Sequence, residues 1–251
     1  MSTVVAFDWI FFDCFNTLID DFDQTGAELA LLPVYSLPAE AGLYASATDF
    51  RLDYHHWRNR QWQTVHREIE MGERYQAVLR ENCPTVPLME IESLAAEMVE
   101  RFRTCYQQSL RLPPDVKEML QFWQGRVKMG VVSNFYLRGW PKDLLASFDL
   151  HVYFDFVLDS AACGWRKPGE QIYNIACEMA QIAPNDRYKI LFVGDHLLND
   201  VLAPQRMGMQ GLYFNRSQER PTSAPPTAQV KSFTTWSQFR PEFCQSQLLV
   251  P

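Results

Sequence analysis

Apolar residues gather in short runs along this chain, each bounded by an acid, a lysine or a glycine. VAFDWIFFD (5–13), VKMGVV (127–132), FDFVLD (154–159), KILFVGD (189–195) and GLYFNR (211–216) are nearly continuous in apolar character rather than alternating. That is the pattern of strands buried on both faces. Between the later runs lie segments of helical period: GWPKDLLASF (139–148), GEQIYNIACEMAQI (169–182) and NDVLAPQRMG (199–208). Their lengths suit crossovers between parallel strands, so the pattern predicts an α/β fold, a Rossmann-like doubly wound parallel sheet covered on both faces. Pro204 falls in the first turn or two of the last segment, where a proline is tolerated.

The long stretch between the first two strand runs breaks this rhythm and reads as helices. Leu94, Met98, Phe102 and Tyr106 recur every fourth position, and Trp57, Trp62, Val65 and Ile69 fall at roughly helical spacing. The expectation is a helical cap over residues 21–112, inserted after the first strand into a core of residues 1–20 and 113–251. Pro113-Pro114-Asp115 marks the return to the core. SQERPTSAPPTAQ (217–229) reads as a loop, being rich in residues that bury little surface.

With 251 residues, 47% of them hydrophobic, the chain has material for one large apolar core and an insert. A net charge of −7 without any Lys/Arg block argues against nucleic acid and against an anionic membrane as partner. An acidic chain that handles anions must gather positive charge locally, and a metal ion is one means. The six cysteines show no metal-ligand spacing and read as reduced thiols. The N-terminal apolar run lacks a preceding basic residue and is interrupted by Asp8 and Asp13, so it predicts neither signal peptide nor membrane span. A soluble, cytoplasmic chain acting on a small molecule is the expectation.

Chemistry concentrates where the predicted strands end. Asp13 closes the first, Ser133-Asn134 follows the second, Lys167-Pro168 follows the third, and Gly194-Asp195 closes the fourth, with Asp200 beyond. In an open parallel sheet these carboxyl ends share one crevice. Each residue also has a plainer reading: Asp13, Asp195 and Asp200 as turn acids, Ser133 and Asn134 as helix caps, Lys167 as a solvated loop lysine. Asp20 and Asp21 read as hinge or capping residues.

The order Asp, Ser, Lys, paired acids resembles the haloacid dehalogenase superfamily of hydrolases, across about 1–20 and 115–216. VVSNF, FDFVLDSAACGWRKP and VGDHLLNDVLAPQRMGM look like its rhythmically expressed protein 2-like branch, also known as haloacid dehalogenase-like hydrolase domain-containing protein 3. The resemblance implies a Mg²⁺-dependent phosphatase acting on a small phosphorylated metabolite through an aspartyl-phosphate. It makes Asp13 the nucleophile and a metal ligand, with the Phe15 backbone carbonyl, Asp195 and Asp200 as further ligands. Lys167 would neutralise nucleophile and phosphate, and Ser133 would donate to a phosphate oxygen. Asn134, Thr17 and Arg58 join Ser133 as substrate-binding candidates, and Thr17 and Asn16 also shape the loop after the nucleophile.

One position departs from the usual pattern. Phosphatases of this superfamily carry a second aspartate two residues past the nucleophile, as acid and base; here that residue is Phe15. A carbonyl survives the exchange, but proton transfer does not. Turnover would then need a good leaving group or a donor from elsewhere, such as His196, His55, His56 or His66. Two alternatives follow. An aromatic residue at this position suits a 2-haloacid dehalogenase, with Arg58 or Arg60 of HWRNRQ (56–61) as substrate anchor, although the carboxylates of GDHLLND would repel an anionic substrate. The other alternative is a weakly active or non-catalytic relative that binds a phosphometabolite or a protein.

Overall fold

The computed structural model describes residues 7–21, 28–64, 66–216 and 230–248. The predicted loop at 217–229, the first residues of the N-terminal run and Val65 lie outside them. The chain divides into two compact units, Met1–Asp20 with Leu112–Pro251, and Asp21–Arg111.

The first unit is built on a six-stranded sheet. Its strands are β1 (Trp9–Phe12), β2 (Lys128–Ser133), β3 (Phe156–Asp159), β4 (Ile190–Gly194), β5 (Gln210–Phe214) and β6 (Ser232–Phe233), in the spatial order β3-β2-β1-β4-β5-β6. Every pairing is parallel: β1 lies between β2 and β4, with Phe12 opposite both Val131 and Val193. All four residues of β1 are buried, as a central strand covered on both faces requires. Trp9 and Phe11 join Phe156, Ile172, Tyr173 and Phe192 in the core on one face. Phe12, pointing to the opposite face by strand alternation, meets Phe154, Trp236 and Phe239. Gly130 in β2 is glycine for space: a Cβ there would stand 2.4 Å from the Phe156 ring.

Helices at Pro114–Trp123, Trp140–Ser147 and Glu170–Met179 link the strands. The stretch predicted as one helix at 199–208 differs. It opens as a π-helical turn over Leu197–Leu202 and becomes α-helical only at Ala203–Arg206. Pro204 has no N–H to give to a regular ladder and sits at the start of the α segment, where none is needed. The wide turn lies directly after β4, in the segment that bears Asp200.

The second unit contains helices at Leu32–Glu40, Ala47–Thr64, Met71–Asn82 and Leu88–Gln107. Two helical expectations need correction. Ala47–Thr64 ends before Ile69, and it is Phe50 and Tyr54 that bury fully, while Trp57 and Trp62 are half-buried. In Leu88–Gln107 the buried stripe is Ile91, Ala95, Met98 and Phe102. A strict four-residue step overshoots the helical turn by about 40°, so Leu94 and Tyr106 fall at the stripe's margins. Tyr106 still stacks on Phe102, and its hydroxyl donates to Asp21 at 2.8 Å. Arg74, fully buried, pairs with Glu68. Among the described residues no helix is long and apolar enough to cross a membrane.

Candidate active site

Asp13 leaves β1 while still in register, its N–H bonded to Val193 O at 2.9 Å. The chain then turns tightly: Leu18 and Ile19 both donate to the Cys14 carbonyl, Asn16 N donates to Ile19 O, and Asn16 takes φ of 63°. Asparagine tolerates this left-handed conformation better than most residues. The turn brings the Thr17 hydroxyl back over the strand end, 3.2 Å from Asp13 Oδ2 and 3.4 Å from Asp195 Oδ1.

Lys167 arrives from the loop after β3. Its ammonium donates to Asp13 Oδ1 at 2.8 Å and to Asp200 Oδ1 at 2.7 Å, and lies 5.2 Å from the centre of the Phe192 ring. Asn134 holds that loop in place. Its side-chain amide donates to the Lys167 carbonyl at 2.9 Å and accepts from the Lys167 N–H at 2.7 Å. Asn134 is therefore a staple for the lysine's backbone rather than a helix cap. Ser160 does the same for the loop after β2, its hydroxyl bridging the N–H and carbonyl of Phe135.

Asp195 follows β4 directly and is half-buried; Asp200 is buried, its second oxygen accepting from His196 N at 2.9 Å. Gly194 makes room for it, since a Cβ there would stand 2.4 Å from Asp200 Oδ2. Carboxylate oxygens of Asp13, Asp195 and Asp200 all lie within 4.8 Å of one another. The Lys167 ammonium offsets one of these three charges, and a divalent cation would offset the other two. Hard oxygen donors so close together fit Mg²⁺ in chemistry and charge.

Ser133 Oγ is fully buried and has no hydrogen-bond partner among the described residues. A buried hydroxyl without a partner costs stability unless something binds to it, and an incoming oxyanion would accept its proton. Ser133, Asp13, Lys167, Asp195, Asp200 and Thr17 are thus gathered at the carboxyl edge of one sheet. Thr17 is completely buried, with its hydroxyl within hydrogen-bonding reach of both carboxylates. Arg58 belongs to the second unit, where its guanidinium lies 4.7 Å from the centre of the Trp62 ring. Arg60 is bound to Glu81 through both carboxylate oxygens at 2.6 and 2.8 Å.

The Phe15 ring is half-buried and stacked on Phe135, with centroids 4.4 Å apart and planes inclined by 18°. Of the proposed proton donors, His196 is exposed and its Nδ1 accepts from Asn199 N at 3.2 Å, so it caps the turn that carries Asp200. His55 pairs with Glu28, and His56 and His66 are exposed on the second unit.

Burial pushes the Asp13 carboxyl up to about 6, helped by Asp200's charge and opposed by Lys167. Burial alone would lower Lys167, but Asp13 and Asp200 hold it above the ordinary lysine value, so it stays charged. The native state without metal therefore holds Asp13's proton more tightly than the unfolded chain does. Its contribution to stability is full below about 3.8 and lost as pH rises through about 6. Urea titrations of wild type and Asp13→Asn in a chelator should diverge across that window, wild type losing relative stability as pH rises.

Sequence reasoning did not foresee the Asn134 staple or the ion pair of Asp20. Asp20 is buried against Arg216, whose Nη2 donates to Asp20 Oδ2 at 2.8 Å. An arginine just past a strand end, as in GLYFNR, was the available signal.

A family profile described as haloacid dehalogenase-like hydrolase matches residues 7–208. Haloacid dehalogenase-like hydrolase domain-containing protein 3 of Xenopus laevis is 32% identical over 120 residues, 47% of this chain and only 46% of that relative. Pyrimidine 5'-nucleotidase YjjG of Escherichia coli (strain K12) is 26% identical over 91% of this chain and 95% of its own length. Among solved structures, a 2-haloacid dehalogenase from Pseudomonas syringae pv. Tomato DC3000 superposes with a TM-score of 0.71, at 21% identity, over 96% of this chain and 99% of that one. A HAD phosphatase from Thermococcus onnurineus gives 0.62 at 19% identity, over 93% and 96%. With the family profile spanning the strand ends that carry Asp13, Ser133, Lys167, Asp195 and Asp200, the chain belongs to the haloacid dehalogenase-like hydrolases.

Proposed function

We propose that this hydrolase is a Mg²⁺-dependent phosphatase acting on a small phosphorylated metabolite, with Asp13 as nucleophile. The observation that carries the reading is the Lys167 ammonium shared between Asp13 and Asp200, with Asp195 completing a cluster of three acids. A dehalogenase attacking carbon has no use for three carboxylates; an enzyme bringing an anionic oxygen to an anionic phosphoryl group needs a cation and the ligands to hold it. Asp13, Asp195, Asp200 and the Phe15 carbonyl would hold Mg²⁺, which when bound supplies charge neutralisation at the phosphoryl oxygens.

The chain's own groups account for the rest. Thr17 and Lys167 fix the Asp13 carboxylate, so one oxygen attacks phosphorus while the bond to the leaving oxygen breaks. Ser133 Oγ and Lys167 Nζ donate to the phosphoryl oxygens as charge builds on them. Water then cleaves the phosphoryl group from Asp13, releasing phosphate. Phe15 gives no proton to the leaving oxygen, so substrates that depart as stable anions, aryl and acyl phosphates, are favoured.

The test is phosphate release from p-nitrophenyl phosphate and a panel of phosphometabolites, with Mg²⁺ and with EDTA. Release should require the metal and fall to background in Asp13→Asn. Activity indifferent to both changes would exclude the reading. Phe15 favours a 2-haloacid dehalogenase; halide release from 2-chloropropionate in EDTA would establish that activity instead.

A further inference from the structure

We infer that Arg216 and Asp20 act together as a positioning pair for the turn that follows Asp13, an inference that rests on Asp13 being the nucleophile. Arg216 stands two residues beyond β5, and its guanidinium is almost fully enclosed, as is the Asp20 carboxylate. Both guanidinium arms engage Asp20: Nη1 with Oδ1, and Nη2 with Oδ2 at 2.8 Å. Nη1 also donates to the carbonyl of Asn16 at 3.2 Å, at the tip of the turn. Arg216 itself is well anchored. Asn215 N donates to Phe233 O on β6 at 2.8 Å, and the guanidinium lies 5.5 Å from the Phe214 ring centre.

The topology gives this contact its meaning. In the sheet β4 separates β1 from β5, and Asp195 follows β4 directly. A turn that starts at the end of β1 and is tied to the end of β5 passes across the end of β4. It carries Thr17, whose hydroxyl lies within hydrogen-bonding reach of both Asp13 and Asp195, and the Phe15 carbonyl. The backbone bonds from Leu18 and Ile19 to Cys14 close the turn on itself, but they do not fix its angle to the sheet. Arg216 supplies that second attachment.

A buried ion pair is a poor device for stability alone, because its desolvation offsets most of its attraction and apolar residues of like volume often serve as well. A planar, forked guanidinium, in contrast, sets the orientation of two acceptors at once. Lysine could reach Asp20 but could not also serve Asn16 with the same geometry. The pair therefore fixes where Thr17 and the Phe15 carbonyl stand relative to Asp13 and Asp195. A displacement of about 1 Å in such a group can cost on the order of 10²-fold in rate.

The experiment compares Arg216→Lys, Arg216→Gln, Asp20→Asn and the double variant Arg216→Gln/Asp20→Asn with wild type. Readouts are kcat and KM for p-nitrophenyl phosphate, the Mg²⁺ concentration for half-maximal rate, and the Mg²⁺-induced rise in the thermal midpoint. The expected result is a fall in kcat of about 10- to 100-fold with KM little changed. Several-fold more Mg²⁺ should be needed, in activity and in the thermal shift alike. Arg216→Lys should fold well yet recover little of kcat, and the double variant should be no slower than the worse single one. Arg216→Lys and Asp20→Asn keep the test decisive if Arg216→Gln does not fold. Folded variants with lower thermal midpoints but wild-type kcat and Mg²⁺ dependence would overturn the inference and leave the phosphatase reading intact. A wild-type protein that releases no phosphate with Mg²⁺ would remove both.

Discussion

Replacing Phe15 by aspartate should raise turnover of alkyl phosphates by about 10²- to 10⁴-fold, the usual worth of a well-placed general acid and base. Aryl phosphates, whose leaving groups depart without a proton, should change far less. The diagnostic quantity is the ratio of kcat/KM for an alkyl phosphate to that for p-nitrophenyl phosphate, which isolates leaving-group assistance from folding losses common to both. The introduced carboxyl would stand two residues past Asp13, close to the other acids, and like charges nearby would raise its pKa toward the range a general acid needs. Losing the Phe15–Phe135 stack should cost about 0.5–1.5 kcal/mol, a penalty a folded variant can tolerate. The pH profile should change shape as well. Wild type has no acid to lose at position 15, so its rate should rise with ionisation of Asp13 and stay level; the variant should gain a falling limb. An unchanged alkyl-to-aryl ratio in a folded variant would mean that another group already protonates the leaving oxygen in wild type.

The strands could be read from the chain because a parallel strand buried on both faces writes a dense apolar run, and WIFF and ILFVG have no polar interruption. The crevice was legible for the same reason: once the strands are located, the residues at their ends are fixed, and Asp13, Ser133 and Asp195 occupy those places, while Lys167 follows β3 only after the short helix Ser160–Cys163. What stayed hidden depends on contacts between distant positions or on local backbone detail. Asn134 staples Lys167 from 33 residues away, and Arg216 reaches Asp20 across 196. Neither separation leaves a periodic trace. The π-helical turn at Leu197–Leu202 has the apolar content of an ordinary helix and differs only in hydrogen-bond spacing. In the second unit, the aromatic residues that catch the eye, Trp57 and Trp62, are only half-buried, and the smaller rings of Phe50 and Tyr54 form the interior.

Lys167→Met should be the most damaging single change to the fold as well as to turnover. The lysine is almost wholly enclosed and donates to two buried carboxylates, at 2.8 and 2.7 Å. Methionine keeps most of the volume but leaves Asp13 and Asp200 facing each other with nothing between them. Breaking a buried ion pair from one side costs about 3–5 kcal/mol. Here the two acids lose their shared counter-charge together, so at least one would take up a proton in the native state. The loss should accordingly be smaller in acid and larger as pH rises, the opposite trend from a cavity mutation, whose cost does not depend on pH. Urea denaturation of wild type and variant from pH 4 to pH 8 in a chelator would separate the two. Removing one of the opposed charges as well, in Lys167→Met/Asp13→Asn, should restore part of the stability and none of the activity. Mg²⁺ should stabilise Lys167→Met more than it does wild type, because the cation then neutralises three carboxylates without the lysine's help. A loss in Lys167→Met that is flat across pH and indifferent to Mg²⁺ would mean that the lysine fills space at this strand edge rather than balancing charge.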